Sequence, residues 1–304
     1  MLEINPYQNI LISKQQTSPS VEKDFSNTCE ELLFPQKTTA IGDYYSTNSI
    51  KNNNESNLEQ LNKLFPNGEL IKFYNQMSEE LGLDIPPKLN FVSTEDKITG
   101  GGYTFLKNEI NMNLADLTDT NLKIVGIKNG KKETLVSPNE QLPLIVNKHN
   151  ANLFLQVQAK RGNLGFDKLI AEPTSIDDRK KLILQKIYHE LIHAQQHMIM
   201  RQTEGIGTKE IIKAWTHKQP KNVLEEYLLD IQTNKQYNSS VWVQSQTNTK
   251  YHKDSLSGQI AKKWLEAIRN YPPIDSPEYT KNPIESDAYN RSAEYIKRNF
   301  GGWN

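Results

Sequence analysis

Three observations predict an α+β fold. Apolar residues first recur at helical spacing, then alternate with polar ones along several short runs, and return to helical spacing after Pro173. Helix, then strands, then helices only is the order of an α+β chain rather than of repeated βαβ units. The 304 residues, 36% apolar and 24% charged, suffice for one substantial domain with an appendage. Lys plus Arg and Asp plus Glu number 36 each, so no net field draws nucleic acid or an anionic membrane, and neither is expected as a partner. With a mean hydropathy of −0.70 and no apolar run near the roughly 20 residues of a membrane span, a soluble protein is expected, a monomer in the simplest case.

Residues 1–57 are rich in Ser, Thr, Asn, Gln and Lys and close on the polar run Lys51 to Asn57, which reads as a flexible leader before a folded domain over 58–304. Its longest apolar run near the start, Ile10 to Ile12, is too short for a Sec signal. In the domain, Leu58, Leu61, Leu64 and Phe65 predict a short helix. Leu70, Phe73, Tyr74, Met77 and Leu81 predict a longer one ending near Gly82, with Pro66, Asn67 and Gly68 as the break. Alternation predicts strands over Lys88 to Val92, Tyr103 to Phe105 and Glu109 to Asn113, the last two joined by a turn at Lys107 and Asn108. Leu122 to Val136 alternates around Asn129 and Gly130, a strong hairpin signal. Leu142 to Val146 and Leu153 to Val157 are read as two further strands.

Ser175 offers an N-cap, and Asp177 and Asp178 an acidic first turn, to a long helix over Asp177 to Arg201. Gly205 and Gly207 suit a turn. Three more helices are expected over Asn222 to Tyr237, Leu256 to Asn270 and Pro283 to Lys297.

The long helix contains His189-Glu190-Leu191-Ile192-His193. Histidines at i and i+4 project from one helix face one turn apart, so their ring nitrogens can converge on a single metal ion. The glutamate between them is suited to take a proton from a metal-bound water and pass it to a leaving amine. Ile183, Leu184, Ile187, Leu191 and Ile192 make this a core helix, where two histidines and a glutamate cost free energy unless paired or ligating.

This motif, preceded by strands that include Gly101 to Tyr103 and Ile110 to Asn113, resembles the zincin superfamily of zinc metallopeptidases. It is similar to the gluzincin type and to injected bacterial effector proteases. The resemblance implies a zincin-like domain: a small mixed sheet with an antiparallel edge strand, an active-site helix and a C-terminal helical subdomain. It also implies one catalytic Zn2+ and hydrolysis of an extended segment of a protein or peptide substrate. Glu109 to Asn113 is the expected edge strand, recognising substrate by strand addition.

Catalytic zinc takes three protein ligands and leaves a fourth position for water. His197 continues the ladder along a straight helix and is read as a surface residue or a supporting one. Glu226, followed by Asp230 and with Glu225 as a weaker variant, resembles the gluzincin ligand and its supporting aspartate. Glu285 resembles the Glu-x-x-Ala helix of other gluzincins, with Tyr289 where Asp is usual. Facing favours Glu285, which shares a helix face with Ala288, Tyr289, Ser292 and Ile296, whereas Glu226 flanks the stripe of Leu224, Tyr227, Leu228 and Ile231. Asp287 is expected at the surface or supporting a ligand. Tyr289 is the candidate oxyanion donor, with Arg291 and Tyr295 as rivals.

The expected function is therefore zinc-dependent endoproteolysis, with Glu190 and Tyr289 catalytic and His189, His193 and Glu285 as ligands. A non-catalytic zincin-fold binding protein with a vestigial metal site is the alternative. The polar leader resembles those of injected effectors, so export by a non-Sec route or delivery into a host cell is expected, and otherwise a cytoplasmic protein. Cys29 is the single cysteine, so no thiolate cluster competes for the zinc, and His plus carboxylate is the donor set of a catalytic site.

Overall fold

Two helices lead into the described part of the chain. In this computed structural model it comprises residues 52–92, 101–113, 122–138, 140–146, 148–215, 248–273 and 276–303. Helix α1 (Asn52–Leu64) begins inside the stretch read as leader, and α2 spans Glu69–Glu80. Their inward positions, Leu61 and Leu64 and then Leu70, Tyr74 and Met77, recur every three or four residues. Between the helices Asn67 and Gly68 take left-handed φ values of 56° and 72°, a conformation that breaks the helix and favours Gly and Asn.

Strands β1 (Lys88–Val92), β2 (Gly101–Thr104) and β3 (Glu109–Asn113) form a mixed sheet in the order β1-β3-β2, with β1 parallel and β2 antiparallel to β3. The strand expected at the edge is thus the central one. Ile110 and Met112 are wholly buried, as residues of a strand flanked on both sides should be. The antiparallel edge is β2, whose Gly-Gly-Tyr-Thr sequence is only partly buried throughout and which packs on the long helix.

A second sheet is built around β4 (Leu122–Lys128). It pairs antiparallel with β5 (Lys131–Thr134), β6 (Ile145–Val146) and β7 (Lys168–Pro173). Asn129 and Gly130 both have positive φ, as a two-residue hairpin turn requires. Gly126 is obligatory for a different reason: a Cβ there would lie 2.4 Å from the Phe166 ring that packs on it. Leu153 to Val157 is not a strand but the middle of α3 (Lys148–Arg161). Leu153 and Val157 face solvent while Ala151, Phe154 and Leu155 pack on Ile124, Leu135 and Leu169, a helical rather than an alternating pattern.

The remaining described elements are α4 (Ile176–Arg201), α5 (Thr208–Trp215), α6 (Leu256–Arg269) and α7 (Pro283–Phe300). The helix expected over Asn222 to Tyr237, with Glu225, Glu226 and Asp230, lies outside the described residues. Ser175 and Asp178 close a reciprocal capping box on α4. Helices α4 and α7 thread the same two apolar clusters. One holds Leu61, Met77, Ile110, Ile187, Leu191 and Ile296; the other holds Phe105, Ile199, Ile211, Trp264 and Ile284. Along α4, the buried Gln195, Gln196 and His197 fall between Ile192 of the first cluster and Ile199 of the second. Among the described residues no helix is long and apolar enough to cross a membrane.

Candidate metal centre

The two histidines of the motif lie near the middle of α4, where the helix is continuous and their one-turn separation is fixed by its rise. The rings meet edge to face at 4.6 Å, and the Nε2 atoms stand 3.0 Å apart. The third group comes from α7. Asn282 caps that helix, its side-chain oxygen accepting from the Ile284 N–H at 3.0 Å while its amide donates to the Ala267 carbonyl of α6 at 3.0 Å. This anchorage sets Glu285, in the first turn of α7, against the histidines: its Oε2 is 3.3 Å from His189 Nε2 and its Oε1 is 3.4 Å from His193 Nε2. Among the described residues, His189, His193 and Glu285 are the one trio of His, Cys, Asp or Glu side chains whose donor atoms lie within 4.8 Å of one another.

These donors fit a metal ion. Tetrahedral ligands at about 2.0–2.1 Å from an ion stand roughly 3.3 Å from one another; here the two Nε2 atoms are 3.0 Å apart, one carboxylate oxygen lies 3.3 Å from His189 and the other 3.4 Å from His193. Glu285 is 1% exposed, and its Oε2 is buried with no hydrogen-bond donor among the described residues. An acceptor left so is costly unless something cationic approaches it. Burial opposes charge on both partners, raising the Glu285 carboxyl and lowering His193. Their mutual attraction wins, so Glu285 is held well below the usual carboxylate range and His193 is raised to about 9.

The tautomer of His193 follows from its neighbours. Gln196 donates through its amide nitrogen to the Ile284 carbonyl at 3.1 Å and to Asp287 at 2.8 Å, which turns its oxygen toward His193 Nδ1 at 2.8 Å. Nδ1 therefore keeps a proton in either charge state, and it is Nε2 that would lose its proton and offer a lone pair to a bound metal. Asp287, expected at the surface or in support, is thus a support: Arg291 holds it at 3.3 Å and in turn donates to Gln195 at 2.5 Å. Among the described residues His189 has no such partner on Nδ1; its ring lies against His193 and the Tyr289 ring, 4.3 Å away.

Glu190 is buried, only 9% exposed, and its charge is felt at His193, Tyr279 and Tyr289. Of the three candidates for an oxyanion donor, Tyr289 alone packs on a motif histidine. Arg291 is engaged with Asp287 and Gln195, and Tyr295 stacks on Tyr188 at 4.2 Å in the first apolar cluster. Sequence reasoning missed two further tyrosines. Tyr271 donates to Glu285 Oε1, and Tyr279 lies 3.4 Å from the Tyr271 hydroxyl. Burial first, then the nearby carboxylate, raises both phenols far above their ordinary range, so both stay protonated. Nothing in local periodicity marks them, because they stand on the irregular segment between α6 and α7.

His197 is not part of the trio. It is 3% exposed, stacked on Phe105 at 4.9 Å and 7° and facing Trp215 at 6.1 Å, and burial holds it neutral, well below its ordinary value. Comparison of the chain with protein-family models, curated proteins and solved structures finds no match, so the reading of this centre rests on its own geometry.

Proposed function

We propose that this protein is a zinc-dependent endopeptidase of zincin type. The observation that carries the reading is the convergence of His189, His193 and Glu285, with a general-base candidate, Glu190, next to His189 on the same helix. Zinc, when bound, polarises the scissile carbonyl and lowers the pKa of its water. Glu190 then accepts the proton of the attacking water and delivers it to the leaving amine nitrogen. Tyr289, kept protonated by burial, is the donor for the carbonyl oxygen as it gains negative charge. Strand β2 supports an extended substrate. It has β3 as its sole strand neighbour among the described residues, and Gly102 keeps its surface bare. The Ser-, Thr- and Asn-rich stretch up to Asn57 supports the further reading of a bacterial effector or toxin exported by a non-Sec route or delivered into a host cell.

Glu190→Gln tests the mechanism. The variant is expected to bind one zinc per chain and to cleave an unfolded protein such as casein at least about 100- to 10,000-fold more slowly than the wild type. Full activity in the variant would sink the assignment of the base. A zinc-loaded wild type that cleaves no unfolded protein would favour a non-catalytic binding protein built on the same centre.

A further inference from the structure

We infer that Tyr271 is a positioning residue for the centre, its hydroxyl engaging Glu285 Oε1 so that Oε2 alone is offered to the metal. The inference rests on the reading of His189, His193 and Glu285 as ligands. A glutamate carboxylate turns readily about its last torsion and can present one oxygen or both. Here the two oxygens are unlike. Both face a motif histidine, Oε1 at 3.4 Å from His193 Nε2 and Oε2 at 3.3 Å from His189 Nε2, but Oε1 also accepts from Tyr271, whereas Oε2 has no hydrogen-bond donor among the described residues. The hydrogen bond removes the symmetry of the carboxylate and ties it to the end of α6.

Tyr271 is itself held firmly. Its backbone N–H donates to the Ile268 carbonyl at 3.2 Å just past the end of α6, and Pro272 and Pro273 follow, fixing φ at two successive positions. Its ring packs on Trp215 at 4.9 Å and edge-on to Tyr279 at 5.7 Å, and its hydroxyl is 3.4 Å from that of Tyr279. Trp215 in turn faces His197, which lies flat on Phe105 in the turn after β2. A row of rings therefore runs from the edge strand to the third ligand. Partners of this kind behind a metal ligand fix its orientation and affect affinity and coordination number.

The experiment compares Tyr271→Phe, which keeps the ring and removes the hydroxyl, with Tyr271→Leu, which removes both. Zinc affinity is measured by competition with a chromophoric chelator. The visible absorption of the cobalt-substituted protein reports coordination number, and thermal unfolding of the metal-free form reports packing. Tyr271→Phe is expected to weaken zinc binding about 10- to 100-fold, to lower the cobalt band intensity as the freed carboxylate adds its second oxygen, and to lower the metal-free Tm by less than Tyr271→Leu does. If Tyr271→Phe binds zinc as the wild type does while Tyr271→Leu does not, the tyrosine acts through packing and this inference alone is overturned. If the wild type itself holds no stoichiometric zinc, the metal centre falls and the inference with it.

Discussion

His189 and His193, and then His197 and Arg201, continue one i, i+4 ladder along α4, and all four side chains lie largely inside the protein. Their surroundings make them opposites. The first pair meets a carboxylate from α7, which outweighs the cost of burying charge; the second meets the rings of Phe105, Trp215 and Tyr103, and Tyr103 only partly offsets the burial of Arg201. His193 is accordingly raised to about 9, while His197 and Arg201 are lowered by burial. Helical spacing aligns side chains on one face, but the element packed against that face decides whether they become ligands.

Substituting one histidine of each pair should separate the two environments most strongly. His193→Ala removes a donor of the proposed centre, and zinc affinity is expected to fall by more than the roughly 100-fold typical of losing a supporting partner. His197→Phe keeps the flat stack with Phe105, and zinc affinity is expected to stay within about threefold of wild type, because His197 contributes no donor to the trio. Chelator competition on both variants checks this. Comparable losses would show that the ladder acts as one unit.

A second difference is in pH dependence, read on the metal-free protein. The folded pKa of His197 is depressed, so near pH 6 the unfolded chain binds a proton there that the folded chain does not. Its neutral form costs nothing above the unfolded value of about 6.5; below it, stability falls by up to about 1.4 kcal/mol per pH unit. His197→Phe removes that term and leaves His193 in place, so the variant is expected to gain on the wild type steadily as pH drops from 7 to 5. A constant difference in Tm over that range would contradict the assignment.

These contrasts also explain what was legible in the sequence. Helix α4, its cap at Ser175 and the inward face of Glu285 were legible because each depends on residues within a few turns of one another. The edge strand was not. Alternation in Glu109 to Asn113 reports burial, and whether a buried strand is central or at an edge depends on β1 and β2, which are remote in sequence or reversed in direction. Leu153 to Val157 misled for a related reason, since a short apolar run reads equally well as strand or helix until its partners are known. Tyr271 and Gln196 touch Glu285 and His193 through contacts made only when α6, α7 and α4 come together, so no spacing rule announces them.

The smallest expected effect lies at the N-terminal end of α4, far from both pairs. Asp178 accepts from the Lys123 ammonium of β4 at 2.9 Å and completes the capping box with Ser175, so it joins the second sheet to the helix that carries the motif. Burial opposes its charge, but Lys123 and Ser175 more than compensate and hold its carboxyl below the ordinary range. A carboxyl lowered in the folded state stabilises fully above the unfolded value of about 3.9, and the contribution disappears as pH falls through the folded value. Asp178→Asn is expected to cost about 1 to 2 kcal/mol at pH 7 and to leave zinc affinity unchanged. The gap from wild type in Tm should hold from pH 7 to about 5 and close below about 4. If Asp178→Asn weakened zinc binding as well, the geometry of the centre would depend on the second sheet, and the ligand half of α4 could no longer be treated as set by α7 alone.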